Sequence, residues 1–240
     1  MILIPLLLSL CQQTAAPAFI TPRVLLSVNQ QHIHSDEVNE LVNYYRTYRS
    51  QESTDSLIRR AIATLIPQKL MLSVLASEAK ALEEQVARVH AELMNGADFE
   101  QLAIQFSQDS EAPTSDGRYT FEREQTVHPF DLYSFTVDIN DYSPPFITKY
   151  GYHILQPLHL INGATPSDLR VEVRHILLMY PTMIALEEEE KDVRKYIEHQ
   201  RQQAKIVIYD LGFKNIVAHD LRDQVTISSL AAGPSASVAD

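Results

Sequence analysis

Tryptophan is absent from this chain of 240 residues, and glycine occurs only six times. A sandwich of many short strands needs frequent tight turns, and such turns favour glycine, so this scarcity argues against an all-β sandwich. Hydrophobic residues make up 45% of the sequence and charged residues 21%. The chain therefore has ample apolar material for a core, and its length suits one large domain or two small ones.

Positive charge is also scarce, because 20 Lys and Arg face 31 Asp and Glu and leave a net charge of −11. Proteins that hold a phosphate backbone do so with a basic surface, so we expect no nucleic-acid partner. An acidic surface instead suits a protein that meets unfolded or basic polypeptides. The sequence has no glycine-rich phosphate loop and no Gly-x-Ser-x-Gly nucleophile motif. We expect neither a cofactor nor a metal ion.

Cysteine occurs once, at Cys11, directly after an almost wholly apolar run at residues 1–10. The run is shorter than the ~20 residues that span a bilayer. Small residues follow it, so we expect a signal peptide at residues 1–18 and an extracytoplasmic protein of the periplasm or cell envelope. No Lys or Arg precedes the run, and a buried N-terminal strand is the alternative. Cys11 ends the sequence Leu-Ser-Leu-Cys, which resembles a lipoprotein cleavage box and would add a lipid anchor.

Apolar residues at helical spacing fill the N-terminal half of the chain, after a short strand-like run at residues 23–28. We expect a first helix with its N-cap at Ser35 and a second helix that starts near Thr54. Pro67 would kink this second helix or begin a new one, because proline lacks the backbone donor. The helical pattern then continues to a C-terminal cap at Gly96.

The C-terminal half mixes helical and strand patterns. Asp98, with Gln101 three residues later, predicts the capped start of a short helix. The other expected elements, in chain order, are a polar loop at 107–117, a short helix at 129–135, strands at 152–156 and 171–180 around a turn-rich tip at 162–167, a charged helix at 187–203, a strand at 205–209 and a disordered tail after Arg222.

Two stretches carry a resemblance to a known family. The first reads Gly96-Ala-Asp-Phe99 between two helices and continues to Phe106-Ser-Gln-Asp109. The second holds the pair Pro129-Phe130 and ends in Tyr150-Gly-Tyr-His-Ile-Leu155. Their order and spacing resemble those of the parvulin-type peptidyl-prolyl isomerases. The resemblance implies an α+β fold with an antiparallel four-stranded sheet surrounded by helices, and an isomerase activity that needs no cofactor.

The outer parts of the chain are similar to PrsA- and SurA-type chaperones, in which the two chain ends form a mainly helical, non-catalytic frame. Strands at 24–28 and 206–209 would close this frame. We therefore predict five parts: the signal peptide, an N-terminal helical chaperone-like segment at 19–80, a parvulin-like domain at 81–180, a helix and strand at 181–222 that return to the N-terminal segment, and a disordered tail at 223–240.

One departure from the family concerns its first strand, which reads roughly Arg-His-Ile-Leu and precedes the first helix. Here the segment at 68–74 has no histidine and a helical pattern, whereas the sequence Val173-Arg-His-Ile-Leu-Leu178 follows the last strand. We predict that the domain is circularly permuted and receives its first strand from the C-terminal side. The alternative is a core strand whose histidine is incidental.

The permuted arrangement makes a specific hairpin. The two strands would lie antiparallel at the centre of the sheet, so a simple turn can join them. If His153 faces His175, the midpoint of the hairpin is Ala164, and both histidines share one face. Pro157 can donate no ladder hydrogen bond and should mark the end of regular pairing.

The chemistry of prolyl isomerisation needs few groups. Rotation about an amide breaks its resonance, so the enzyme needs an apolar pocket that grips the proline ring and surroundings that stabilise the twisted amide. The resemblance implies that Phe130 is the pocket phenylalanine and Phe135 a second apolar wall. It also implies that His153 and His175 are paired histidines that shape and polarise the site.

Two positions depart from the family's pocket. Thr126 stands where a pocket methionine is expected, and it is smaller and polar. The glycine-rich segment that normally supplies an Asp or Cys is shortened here, so Asp116 is the candidate for that role. These departures indicate a weakened or retuned site.

Three functions therefore stay open. The leading one is a peptidyl-prolyl isomerase that assists the folding of exported polypeptides with X-Pro bonds. The second is a client-binding chaperone that keeps the parvulin shape without catalysis. The third is a helical scaffold or envelope lipoprotein, which would require that the predicted hairpin be absent.

Overall fold

The computed structural model of the protein describes residues 22–109, 118–165, 168–210, 213 and 225–227. The predicted signal peptide at 1–18, Cys11 and most of the tail from residue 223 lie outside these residues. In chain order the elements are β1 (Val24–Val28), β2 (Gln31–His34), α1 (Ser35–Arg46), α2 (Thr54–Val74), α3 (Ala76–Met94), α4 (Phe99–Phe106), β3 (Arg118–Glu122), α5 (Phe130–Thr136), β4 (Phe146–Ile147), β5 (Gly151–Ile161), β6 (Arg170–Met179), α6 (Pro181–Glu188), α7 (Val193–Gln203), β7 (Ile206–Ile208) and β8 (Val225–Ile227). In this described part of the chain, no helix has the length and apolarity to cross a membrane.

The first sheet joins the two ends of the chain in the order β2-β1-β7-β8. Strand β1 lies between β2 and β7 and runs antiparallel to both, so that Leu26 pairs with Ile208. The predicted pairing of an N-terminal with a C-terminal strand is confirmed. The predicted disorder after Arg222 is wrong for Val225–Ile227, because their backbone pairs in parallel with β7.

The N-terminal helices show where packing overrides local sequence rules. Helix α2 runs through Pro67, so no new helix begins there. Proline removes one backbone hydrogen bond, but the apolar residues around it are buried in the core and hold the helix together: Leu65, Ile66, Leu70 and Met71. The N-cap of α1 is His34 and not the predicted Ser35, because β2 runs directly into the helix and the Glu37 carboxylate accepts the His34 N–H at 2.9 Å.

The charged C-terminal segment forms two helices, α6 and α7, where the sequence predicted one. Glu190, between them, has a φ of 55°, which is incompatible with a continuing α-helix. Asp192 then caps α7, since its carboxylate accepts the Arg194 N–H at 2.9 Å. A sharp corner at residues 189–192 results, and it faces the second sheet.

The second sheet is antiparallel throughout, in the order β3-β6-β5-β4. Helices α3 and α4 cover one face with a buried apolar cluster: Val86, Val89, Leu93, Phe99, Leu102 and Ala103 against Ile154, Ile176 and Leu178. On the other face, the sheet residues Phe121, Phe146, Leu155, Val171 and Val173 form a buried cluster with Phe130 of α5. The predicted α+β fold with a four-stranded antiparallel sheet is confirmed, although β3 and β4 were not predicted.

Strands β5 and β6 form the predicted hairpin with a different register. His153 lies opposite Leu177, and His175 lies opposite Leu155, so the two histidines are diagonal neighbours. Pairing also continues past Pro157 to Ile161, where the sequence predicted that it ends. Pro157 has no backbone N–H to donate, and a bulge between Pro157 and His159 shifts the register so that pairing continues beyond it.

Candidate functional site

Two stacked histidines occupy the centre of the second sheet. His153 on β5 lies opposite Leu177 of β6, and His175 is two residues from Leu177. Side chains two residues apart on a strand point to the same face, so the two histidines share one face of the sheet. Their Nδ1 atoms are 3.3 Å apart and their ring planes differ by 13°. Only 3% and 4% of their respective surfaces are exposed. The structure thus brings the two predicted histidines together as one buried unit.

Each outer nitrogen of the pair has a partner. His153 Nε2 lies 2.9 Å from the Thr148 hydroxyl, and His175 Nε2 lies 2.7 Å from Asp109 Oδ2. An ionised carboxylate only accepts, so His175 Nε2 donates to Asp109. When both rings are neutral, the remaining protons follow: His153 Nδ1 donates to His175 Nδ1, and Thr148 donates to His153. Tyr119 Oη adds a second donor to the same Asp109 oxygen at 2.7 Å.

Burial sets the charge of this unit. It lowers the pKa of His153 well below the usual range, the neighbouring His175 lowers it further, and Asp109 opposes them only in part. His153 is therefore neutral at physiological pH. A neutral ring in this position can orient its neighbours and polarise the pocket, but it does not supply a proton at physiological pH.

An aromatic wall stands over the histidines. Phe130, the first residue of α5, meets the His175 ring edge-on, with 5.0 Å between ring centroids, and meets His153 at 5.5 Å. Phe146 of β4 stacks almost parallel on the other side of His153. Such contacts fix ring orientation more tightly than apolar burial alone. The result is a rigid aromatic surface around the imidazoles.

A groove of about 780 Å³ opens above this surface. Asp109, Tyr119, Thr126, Val127, Phe130 and the two histidines line one side, and residues 187 and 190–194 of the α6–α7 corner line the other. This volume lies in the range of small-molecule and short-peptide sites. The C-terminal helices, which the sequence assigned to a separate frame, therefore also border the pocket.

The remaining predicted site residues lie in different places. Thr126 lines the groove, and its buried hydroxyl has no hydrogen-bond partner. Phe135 is not among the described lining residues of the groove, and its role as a second apolar wall stays a prediction. The Phe121 ring meets it edge-on and the Arg123 guanidinium covers it at 4.3 Å. Asp116 lies outside the described residues.

Sequence reasoning missed two groups that touch the histidines. Asp109 stood in the quoted motif Phe106-Ser-Gln-Asp109, but the acidic role went to Asp116 because of the glycine beside it. Thr148 carries no motif and is recognisable only through its contact with His153. In the segments that the structure describes, no cluster of three or more His, Cys, Asp or Glu side chains is placed to hold a metal ion.

Comparison with known proteins finds one matching family and several similar proteins. Residues 65–158 match the rotamase family described as the PPIC-type PPIASE domain. The chain is similar to the chaperone SurA of Methylobacillus flagellatus, with 35% identity over 89 residues, 37% of this chain and 20% of that protein. It is 28% identical to the chaperone SurA of Bordetella pertussis over 125 residues, 51% of this chain and 23% of that protein.

A third relative is the foldase protein PrsA 3 of Bacillus anthracis, 33% identical over 91 residues, 38% of this chain and 31% of that protein. The chain thus spans between a fifth and a third of the length of these relatives. The family match over residues 65–158 and the pair of imidazoles beneath Phe130 both indicate a similarity to this isomerase family. Over residues 65–158 the chain is therefore similar to the PPIC-type peptidyl-prolyl isomerase family, the parvulins, and it is also similar to SurA and PrsA.

Proposed function

We propose that this protein is a peptidyl-prolyl cis-trans isomerase that assists the folding of exported polypeptides with X-Pro bonds. The observation that carries the proposal is the position of Phe130, edge-on above the stacked His153 and His175 at the bottom of the groove. A proline ring is small and apolar, and an aromatic face beside the buried imidazoles suits it. The residue that precedes the proline would lie along the groove toward the α6–α7 corner.

Catalysis in this site requires only that the twisted amide be stabilised more than the planar amide. The planar amide resists rotation by ~18–20 kcal/mol, and the twisted amide carries less charge on its oxygen. A groove whose lower surface is buried and aromatic solvates the planar amide poorly and so favours the twisted form. Asp109 and Thr148 hold the two imidazoles in place and are positioning residues, while Phe130 holds the proline. No covalent intermediate is required.

A protease-coupled assay with a proline peptide tests this function. The wild-type protein should accelerate isomerisation above the uncatalysed rate. Phe130→Ala and His153→Ala should each lower kcat/KM by about tenfold or more, the loss of one well-made contact in the transition state. His159→Ala is the matched control, because His159 is an exposed histidine of the same strand. A wild-type rate equal to the uncatalysed rate would contradict the proposal.

A second candidate function is a client-binding chaperone whose isomerase site is degenerate. The size of Thr126 favours it, because this groove residue stands where the family's pocket methionine is expected and offers less apolar surface to a proline ring. Suppression of client aggregation by the wild type, undiminished in Phe130→Ala and without isomerase activity, would support this candidate over the first.

We also propose that the parvulin domain is circularly permuted. The family match ends at residue 158, before β6, yet β6 carries His175 and pairs with β5 along its length. The α3 helix is preceded by helix α2 and not by a strand. On this basis we keep the division into 19–80, 81–180 and 181–222, with the first and last parts forming a chaperone-like frame.

The clients and the location follow from the same proposal. The relatives are named as a chaperone and a foldase, and the net charge of −11 suits contact with unfolded chains of basic or mixed charge. A signal peptide at 1–18, with or without a lipid on Cys11, would place the protein outside the cytoplasm. Cell fractionation with and without Cys11→Ser tests both parts: export should persist, and membrane association should be lost only if Cys11 is lipidated.

A further inference from the structure

The carboxylates of Glu124 and Asp131 lie at the two ends of the segment 124–131, which contains the pocket residue Phe130. Asp131 follows Phe130 in α5 and is only 6% exposed. Its carboxylate accepts the Tyr44 hydroxyl of α1 at 2.6 Å and the Glu124 N–H at 2.7 Å. A buried carboxylate held by two donors has little freedom to move. Helix α1 is therefore bound directly to the residue beside Phe130.

Glu124, at the other end of the segment, is held by the N-terminal helices. Arg49 donates to both of its carboxylate oxygens, at 2.5 and 3.0 Å, and Arg60 of α2 donates at 3.0 Å. Tyr48, just after α1, adds a hydroxyl donor at 2.8 Å. Glu124 also has a φ of 64°, so its backbone turns sharply into the segment. Bidentate contact with arginine fixes geometry as well as charge.

The segment between these two anchors belongs to the groove. Residues 125–127 and Phe130 all line it, and no other segment of the described chain supplies as many consecutive lining residues except the α6–α7 corner. We propose that the contacts of Tyr44, Tyr48, Arg49 and Arg60 with Glu124 and Asp131, which we call the seam, position Phe130 over the histidine pair. The proposal rests on the proposed isomerase function and makes the N-terminal helices part of the active machinery.

The seam should act on substrate affinity more than on turnover. Phe130 grips the proline ring, which is common to the planar and the twisted amide, so its position affects both states equally. Loosening the seam would then raise KM and leave kcat nearly unchanged. The competing explanation is that Phe130 is held by its own contacts with Phe121, Phe146 and the histidines. In that case the seam only adds stability.

Two seam variants and one control separate these explanations. Tyr44→Phe removes one donor to Asp131, and Glu124→Gln removes the charge that binds Arg49 and Arg60. We expect each to raise KM about five- to tenfold with kcat within about twofold, the size of one net hydrogen bond. Tyr45→Phe is the matched control. The hydroxyl of this neighbouring buried tyrosine of α1 lies 3.0 Å from Thr64 Oγ1 of α2, and neither Tyr45 nor Thr64 lines the groove.

A purely stabilising seam gives a different result. Loss of one hydrogen bond, about 1 kcal/mol, would leave nearly all molecules folded, because folded domains are stable by about 5–15 kcal/mol. The KM and kcat of the seam variants would then equal those of the wild type and of Tyr45→Phe. That result would overturn the proposal. Amide hydrogen exchange of residues 123–131 provides a readout that needs no activity: it should accelerate in Tyr44→Phe and Glu124→Gln but not in Tyr45→Phe. If the wild type proves inactive, the isomerase proposal fails, while unchanged exchange would reject the positioning role by itself.

Discussion

His153 and His175 lie diagonally across strands β5 and β6 with their Nδ1 atoms 3.3 Å apart, although 22 positions separate them in sequence. The matched family segment ends at residue 158 and contains only the first of them. The pair therefore exists only when the β5–β6 hairpin forms. Its outer contacts, with Thr148 and Asp109, come from two further segments of the chain.

The first prediction concerns which acidic residue supports the pair. Asp109→Asn should lower kcat/KM about tenfold or more, because the neutral amide oxygen is a weaker acceptor than the carboxylate oxygen to which both His175 and Tyr119 donate. Asp116→Asn should have a smaller effect. The peptide assay on both variants measures this, and a larger loss from Asp116→Asn would return the role to the residue that the sequence favoured.

The second prediction contrasts two threonines whose hydroxyl groups are buried. Thr126→Val removes an unpaired buried hydroxyl and should stabilise the protein by about 1 kcal/mol. Thr148→Val removes a hydroxyl that contacts His153 and accepts the Tyr150 N–H, and should destabilise it by about 1–3 kcal/mol. Urea unfolding of the two variants gives both free energies. Equal effects would show that the hydroxyl of Thr126 has a partner in solution.

The third prediction concerns acid stability. Burial, with a smaller effect of Lys69, lowers the pKa of His128 to about 4. The unfolded chain binds this proton near pH 6.5 and the folded chain does not, so stability should fall as pH drops below about 6.5 and lose about 2 kcal/mol by pH 5. Burial of His153 acts in the same direction.

Urea unfolding of the wild type and of His128→Gln at about pH 7.5 and about pH 5 tests whether His128 causes this loss of stability. The variant should lose less stability than the wild type between the two conditions. An unchanged pH dependence in His128→Gln would show that His128 is not responsible.

The fourth prediction concerns the start of β5. Gly151 has a φ of 150°, and a Cβ there would collide with the backbone carbonyl of Leu178 on β6. Gly151→Ala should therefore destabilise the hairpin by about 3 kcal/mol. Gly96→Ala should cost only about 1 kcal/mol, because Gly96 has a φ of 88° but open space around it. Thermal unfolding of the two variants compares the costs.

Much of the helical structure was predictable because its signals are local. The expected start of α4 at its Asp98 cap agrees with the observed helix Phe99–Phe106, where Asp98 accepts the Gln101 N–H at 2.9 Å. The start of α2 near Thr54 also agrees with its Ser53 cap. Strands β3 and β4 were missed because both are short and lie at the edges of the sheet. Their extended conformation depends on pairing with β6 and β5, which the local sequence does not show.

The candidate site was predictable only in part. Phe130 and the two histidines are recognisable from motifs, and the structure places them in contact. The choice between Asp109 and Asp116 was not predictable, because it depends on how the loop after α4 approaches β6. Phe135 looked equivalent to Phe130 in sequence, but the Arg123 guanidinium covers it.

The amino-acid sequence by itself determined the helical spacing, the caps and the residues that mark the isomerase family, since each depends on neighbours a few positions apart. The tertiary structure alone decided the diagonal register of the histidines, the Asp109 contact and the attachment of Glu124 and Asp131 to the N-terminal helices. These contacts join residues that are far apart in the chain, and which of them form depends on the cooperative packing of two sheets and their helices.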